Sequence, residues 1–164
     1  MRFGLHAAHK RTWTPRGIRP VWTSKQCYDF GYLYLAIEPL QGQLIAAFLP
    51  DMTPESHQAF LDHLADEVET AIAVYQDQAG THRSQEVISA SHIHIRDIPP
   101  YSPELNPCER FFEELRKDIA NTVFSSLEEI EAVFTTALQR YWNNPKLLTR
   151  LTAYSWIRIA PKYN

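Results

Sequence analysis

The apolar residues of this chain fall first into short continuous runs and later into stripes of helical period, so the pattern predicts strands giving way to helices. Residues 30–38 and 43–49 are aliphatic and aromatic runs of strand length, separated by the turn sequence Pro39-Leu40-Gln41-Gly42. With residues 21–23 they predict an antiparallel meander. Thr53-Pro54-Glu55 is a helix start, Thr as N-cap and Pro at the first helical position, and Phe60, Leu61, Leu64, Val68 and Ile72 follow at helical spacing. The end of that stripe overlaps residues 71–75, a compact apolar run of strand length that leads into Asp77. Residues 84–91 predict a short helix and residues 93–98 a strand, the alternation expected around a parallel sheet. Asn106-Pro107-Cys108-Glu109 opens the next helix, whose Cys108, Phe111, Phe112, Leu115 and Ile119 make one apolar stripe. Ser126 with Glu129 caps a further helix carrying Leu127, Ile130, Phe134, Ala137, Leu138 and Tyr141, and Asn143-Asn144-Pro145 ends it. The predicted order is three strands, helix, strand, helix, strand, helix, helix.

Length changes this picture little: 164 residues fit one domain, here residues 1–144, with residues 145–164 as a C-terminal extension packed on it. No apolar run approaches the length that spans a bilayer, and residues 1–10 lack the apolar stretch of a signal peptide. A membrane partner is therefore not expected. The cytoplasm is the expected compartment, with Cys27 and Cys108 as reduced thiols. Charge is more informative. The net charge is -3, yet residues 1–25 hold Arg2, Lys10, Arg11, Arg16, Arg19 and Lys25 without an acid, and residues 132–164 hold Arg140, Lys146, Arg150, Arg158 and Lys162 without one. All 19 acids lie between Asp29 and Glu131. Basic ends beside an acidic middle suit a nuclease whose carboxylates hold metal while flanking cations hold phosphate; taken alone, ordinary solvated termini are the simpler account.

Two carboxylates stand where strand and helix ends meet. Asp77 closes an apolar strand and Glu109 lies in the first turn of a helix, so both are expected at one edge of the sheet. Convergent carboxylates at the carboxyl ends of strands favour hard divalent cations, and a pair of such ions suits in-line attack at phosphorus. Local chemistry also allows a plainer account. Glu109 is three residues past Asn106 and fits the reciprocal member of a capping box, and a strand-terminal Asp fits a turn.

The stretch Pro99-Pro100-Tyr101-Ser102-Pro103-Glu104-Leu105-Asn106-Pro107-Cys108-Glu109-Arg110-Phe111-Phe112 closely resembles the signature around the third acidic residue of DDE transposases of the Tc/mariner superfamily, specifically the bacterial insertion-sequence branch. Val74-Tyr75-Gln76-Asp77-Gln78-Ala79 with His82 resembles the family's strand bearing the second Asp, and Arg2-Phe3-Gly4-Leu5 with Arg11-Thr12-Trp13 and Gly17 resembles the segment directly after the first. The resemblance covers nearly all of the chain, loosely after Asn144. It implies a ribonuclease-H-like mixed sheet, antiparallel meander plus parallel strands, flanked by helices. It also implies Asp77 and Glu109 as catalytic metal ligands for two Mg2+ or Mn2+ ions, and DNA, at transposon ends and target, as partner. The family's first Asp has no counterpart before Met1, nor has its helix-turn-helix portion, so impaired cleavage and strand transfer are expected. Gln78 stands where the family commonly has Asn, and Phe112 where it commonly has Trp. A first strand reduced to its second half is also expected to expose an edge and favour a homodimer.

Further candidates are His82, Asn106, Arg11 and Trp13, as residues supporting the site or touching DNA. His82 serves a turn or helix start as readily. His92 and His94 alternate on one strand face, which an exposed edge explains better than a metal pair. Trp13, Trp22, Trp142 and Trp156 suit base stacking or, more commonly, core packing. Two other functions remain as alternatives: a non-catalytic DNA-binding or self-associating remnant, and a carboxylate-pair hydrolase such as a glycosidase.

Overall fold

A computed structural model describes residues 1–5, 13–18, 28–77 and 87–159, and among them it has two small sheets and five α-helices. The first sheet has the order β1-β2-β3, with β1 at Arg2–Gly4, β2 at Phe30–Glu38 and β3 at Gln43–Leu49, all antiparallel. The second is a parallel pair, β4 at Ile72–Gln76 and β5 at Ile93–Asp97. Both strands of the 30–49 hairpin have the predicted limits. The third predicted strand, residues 21–23, lies outside the described residues; the described third strand is β1. Phe3 faces Gly31 in its register, and the ring fills the space a side chain there would take: a Cβ on Gly31 would come within 2.6 Å of it.

Alternation along β2 and β3 sorts side chains onto two faces. Leu33, Leu35 and Ile37 with Leu44, Ala46 and Phe48 join a large core with Phe3, Leu5, Phe111, Leu115, Ile130, Phe134, Leu138 and Leu148. That core is supplied from the helical side by α2 (Pro107–Ile119), α3 (Leu127–Trp142) and α4 (Pro145–Thr152). Ala36 and Ile45, one residue out of phase, join a smaller cluster with Leu61 and Leu64 of α1 (Pro54–Glu67) and with Ile72, Val74, Ile93 and Ile95 of the parallel pair. The first sheet is thus covered on both faces. A last helix, α5 (Ser155–Ile159), follows α4. No described helix is long and apolar enough to cross a membrane.

Three expectations need correction. The α1 stripe was expected to include Val68 and Ile72, but the helix ends at Glu67, Val68 is extended, and Ile72 opens β4. Both still pack on Leu61 and Leu64, so burial from the next element had imitated helical spacing. Of the helix expected at 84–91, residues 84–86 lie outside the described residues and 87–90 are not helical; Val87 and Ala90 instead lie against the same cluster. At α3 the capping box is displaced. Glu129 accepts from the Ser125 N–H at 2.7 Å, not from Ser126, and the Ser126 hydroxyl binds Glu128, whose carboxyl it lowers. The α1 start is as predicted, with Thr53 Oγ1 accepting from the Ser56 N–H at 3.3 Å.

Candidate functional site

Asp77 directly follows β4 and is exposed, while Gln76 before it is buried. The parallel pairing continues one residue past β5, where the Ile98 N–H donates to the carbonyl of Gln76, the last residue of β4, at 2.8 Å. That bond holds the backbone from which Asp77 leaves the sheet. From β5 the chain passes through Pro99 and Pro100 to Tyr101, fully exposed at φ 59, and then through a 3₁₀ turn, Pro103–Leu105, into α2. Positive φ is strained for a bulky residue. Tyr101 stood in the quoted signature with no role assigned to it, and its unusual backbone has no signal in the sequence beyond the Pro-rich surroundings.

Glu109 is the third residue of α2. Asn106 caps this helix, its Oδ1 accepting from the Cys108 N–H at 3.0 Å. A capping-box glutamate would return the bond to the Asn106 N–H, but that group already donates to the Pro103 carbonyl at 3.0 Å. The 3₁₀ turn therefore takes over the glutamate's capping task. Helix α2 is docked on β2 by its stripe of Phe111, Phe112, Leu115 and Ile119, and at its start by Cys108, whose Sγ–H donates to the Leu35 carbonyl at 3.7 Å.

Met1 meets the same part of β2 from the other side, its amino group donating to the Leu33 carbonyl at 2.6 Å and its carbonyl accepting from Leu33 N–H at 2.8 Å. Burial lowers the Met1 ammonium from 8.0 to about 6, against the opposing pull of the Glu109 carboxylate and, more weakly, of Asp77; Arg116 adds to the lowering. Burial likewise pushes the Cys108 thiol up to about 12, with Glu109 and then Asp77 adding to the rise. The Met1 amino group, bonded to β2, and the Cys108 thiol at the start of α2 both feel the Glu109 carboxylate and, more weakly, that of Asp77. Among the described residues no three His, Cys, Asp or Glu side chains gather as a metal cluster.

Of the other candidates, Asn106 serves as the cap just described. Trp13 is wholly exposed. Arg11 and His82 lie outside the described residues. His92 Nε2 is 3.2 Å from the Ala65 carbonyl and precedes β5, and His94 is exposed on it. Trp142 is anchored by its Nε1–H on the Leu44 carbonyl at 2.7 Å.

An antiparallel three-stranded sheet and a parallel pair, flanked by helices, with carboxylates leaving β4 and entering α2, define a ribonuclease-H-like domain. The chain belongs to the DDE superfamily endonuclease family, whose family model matches residues 1–131. An uncharacterized protein of Sinorhizobium fredii, y4pE/y4sA, is 25% identical over 130 residues, covering 77% of this chain and 96% of that protein. Among solved structures, the Mos1 transposase paired-end complex with left transposon end has the same fold at TM-score 0.67 and 16% identity over 99% of this chain. The Mos1 mariner paired end complex with Mn aligns at TM-score 0.61 and 15% identity over the whole chain. The chain spans about half the length of Mos1 transposase, 54% in both alignments.

Proposed function

We propose that this domain performs metal-dependent cleavage of a DNA phosphodiester and transfer of the freed 3'-hydroxyl to a second DNA, with Asp77 and Glu109 as metal ligands. The observation that carries the reading is positional: within a DDE superfamily endonuclease, Asp77 leaves the carboxyl end of β4 and Glu109 stands in the first turn of α2, with its capping task taken by Pro103. The donors fit Mg2+ or Mn2+. They are carboxylate oxygens, the hard ligands such ions prefer, and the soft Cys108 Sγ is turned to the Leu35 carbonyl. When bound, such ions activate a hydroxyl nucleophile and steady the leaving oxygen.

The chain's own contribution is placement. Asn106 and the 3₁₀ turn fix the first turn of α2 and with it Glu109, and the β4–β5 ladder fixes the backbone at Asp77. Two carboxylates hold a divalent ion less firmly than three, so residues 1–164 acting alone are expected to bind Mn2+ weakly and nick duplex DNA poorly. A third carboxylate supplied on a strand ahead of Met1 is expected to raise both. Titration with Mn2+ followed by electron paramagnetic resonance, beside a supercoiled-plasmid nicking assay, tests this. Asp77→Ala and Glu109→Ala should each abolish the Mn2+ signal change. Unaltered binding in both variants would overturn the assignment and favour a domain that keeps the fold for DNA binding or self-association alone.

A further inference from the structure

We infer that a groove between the β2–β3 turn and α4 is a seat for the phosphate backbone of duplex DNA, held by Lys146 and Arg150. The groove encloses about 520 Å³ and is lined by Leu40, Gln41, Pro145, Lys146, Thr149 and Arg150. It is a built feature. Gly42 has φ +74, and a Cβ there would lie 2.2 Å from the Pro145 carbonyl oxygen, so the turn and the first residue of α4 approach as closely as glycine allows. Leu148, on the opposite face of α4, is wholly buried in the large core, which fixes the rotation of the helix and turns Lys146 and Arg150 outward.

Charge singles out one kind of occupant. The lining has two cations and no acid, and from Ala132 to the end of the chain the sequence contains none. Glu38, the acid at the near end of the turn, has its carboxylate engaged by the Gln41 N–H. In a protein of net charge -3 this is a local concentration of positive charge. Lys146 and Arg150 are one helical turn apart, about 6 Å along the axis, which is close to two steps along one strand at about 3.4 Å of duplex axis per step. Thr149 adds a hydroxyl between them.

The turn that forms one wall of the groove continues β2, on which the start of α2 is docked. Cys108 Sγ meets the Leu35 carbonyl, and Glu38 is three residues further along β2, roughly 10 Å at strand rise. A duplex whose backbone rested on α4 would extend toward the ends of β4 and α2. The partner named here rests on the proposed function, while the groove's charge and shape do not.

The test is fluorescence anisotropy of a labelled duplex binding the full chain across a salt series. Removing two phosphate contacts should flatten the slope of log affinity against log salt by about 1.8, or about tenfold less change in affinity between 50 and 200 mM salt. Lys146→Gln with Arg150→Gln is expected to show this with duplexes of any sequence. Lys117→Gln, at a cation paired with Glu114 on α2, is expected to leave the slope unchanged. An unaltered slope in the double variant, or an equal shift per charge in Lys117→Gln, overturns the inference. Asp77→Asn with Glu109→Gln separates the two readings: it should remove Mn2+ binding and leave the salt slope intact, so a groove that fails and a metal site that fails give different results.

Discussion

Replacing Asn106 by alanine should destabilise α2 by an amount that follows from its first turn. Pro107 has no N–H, so Cys108 and Glu109 carry the first donors of this helix that lack an intrahelical acceptor. The Glu109 N–H is met by the Asn106 backbone carbonyl at 3.1 Å, a bond that alanine keeps. The Cys108 N–H is met by Asn106 Oδ1 at 3.0 Å, a bond that alanine loses. Loss of an asparagine cap costs about 1 kcal/mol. Cys108 is only half-buried, so water can replace part of the lost bond and the cost stays below that of a sealed donor.

For a chain of this length, a loss of that size lowers Tm by about 2–4 °C. Thermal unfolding followed by circular dichroism measures it, with Asn106→Ser as the companion variant because serine also accepts from the second or third helical N–H. The serine variant should recover most of the loss. An alanine variant that melts with the unaltered chain, or a serine variant as weak as alanine, would refute the cap. On the proposed function the alanine change should also weaken Mn2+ binding, since it loosens the turn that holds Glu109, and serine should restore that too.

Phe134 is wholly buried, edge-on to Phe3 with ring centroids 5.4 Å apart, so Phe134→Ala should cost about 3–5 kcal/mol in urea unfolding, and a loss under about 1 kcal/mol would contradict the packing described. Asp51 accepts from the hydroxyls of Ser56 at 2.5 Å and Thr53 at 2.8 Å, which together hold its carboxyl below the ordinary 3.8. A depressed carboxyl stabilises the fold above its unfolded value and loses that contribution as pH falls through its folded one. The stability gap between the unaltered chain and Asp51→Asn should therefore be constant near neutrality and close below pH 3.8; a gap that persists in acid would count against this account. Strand β1 is the outer member of its sheet and, among the described residues, pairs only with β2, so a homodimer is expected in sedimentation at micromolar concentration, and a pure monomer would reject it.

The legible parts of the fold were those where local chemistry and burial agree. The 30–49 hairpin shows it, since the apolar runs specify strands and Gly42, with its positive φ, lets the turn close. The start of α2 shows it too, with Asn106 and Pro107 where a cap and a first residue belong. Burial without a shared element defeated the pattern at Val68 and Ile72, which lie against α1 from outside it. The small displacement at α3 has a different cause. Adjacent serines at 125 and 126 and adjacent glutamates at 128 and 129 offer two nearly equivalent capping pairs, and spacing alone does not choose between them.

The proposed site is read from resemblance more than from residue chemistry, and the geometry of α2 explains why. At Glu109 a capping glutamate and a metal ligand share one position, the third residue of a helix, because both tasks need a carboxylate beside the helix N-terminus. What separates them is whether the cap residue's own N–H is available. Here Pro103 and Leu105 form a 3₁₀ turn that delivers the Pro103 carbonyl to the Asn106 N–H, so the helix start is satisfied without Glu109. The charge of Glu109 is instead felt at the Met1 amino group and the Cys108 thiol, where that of Asp77 is felt as well. On the proposed function, a carboxylate not needed for capping is one that a divalent cation can take as a ligand.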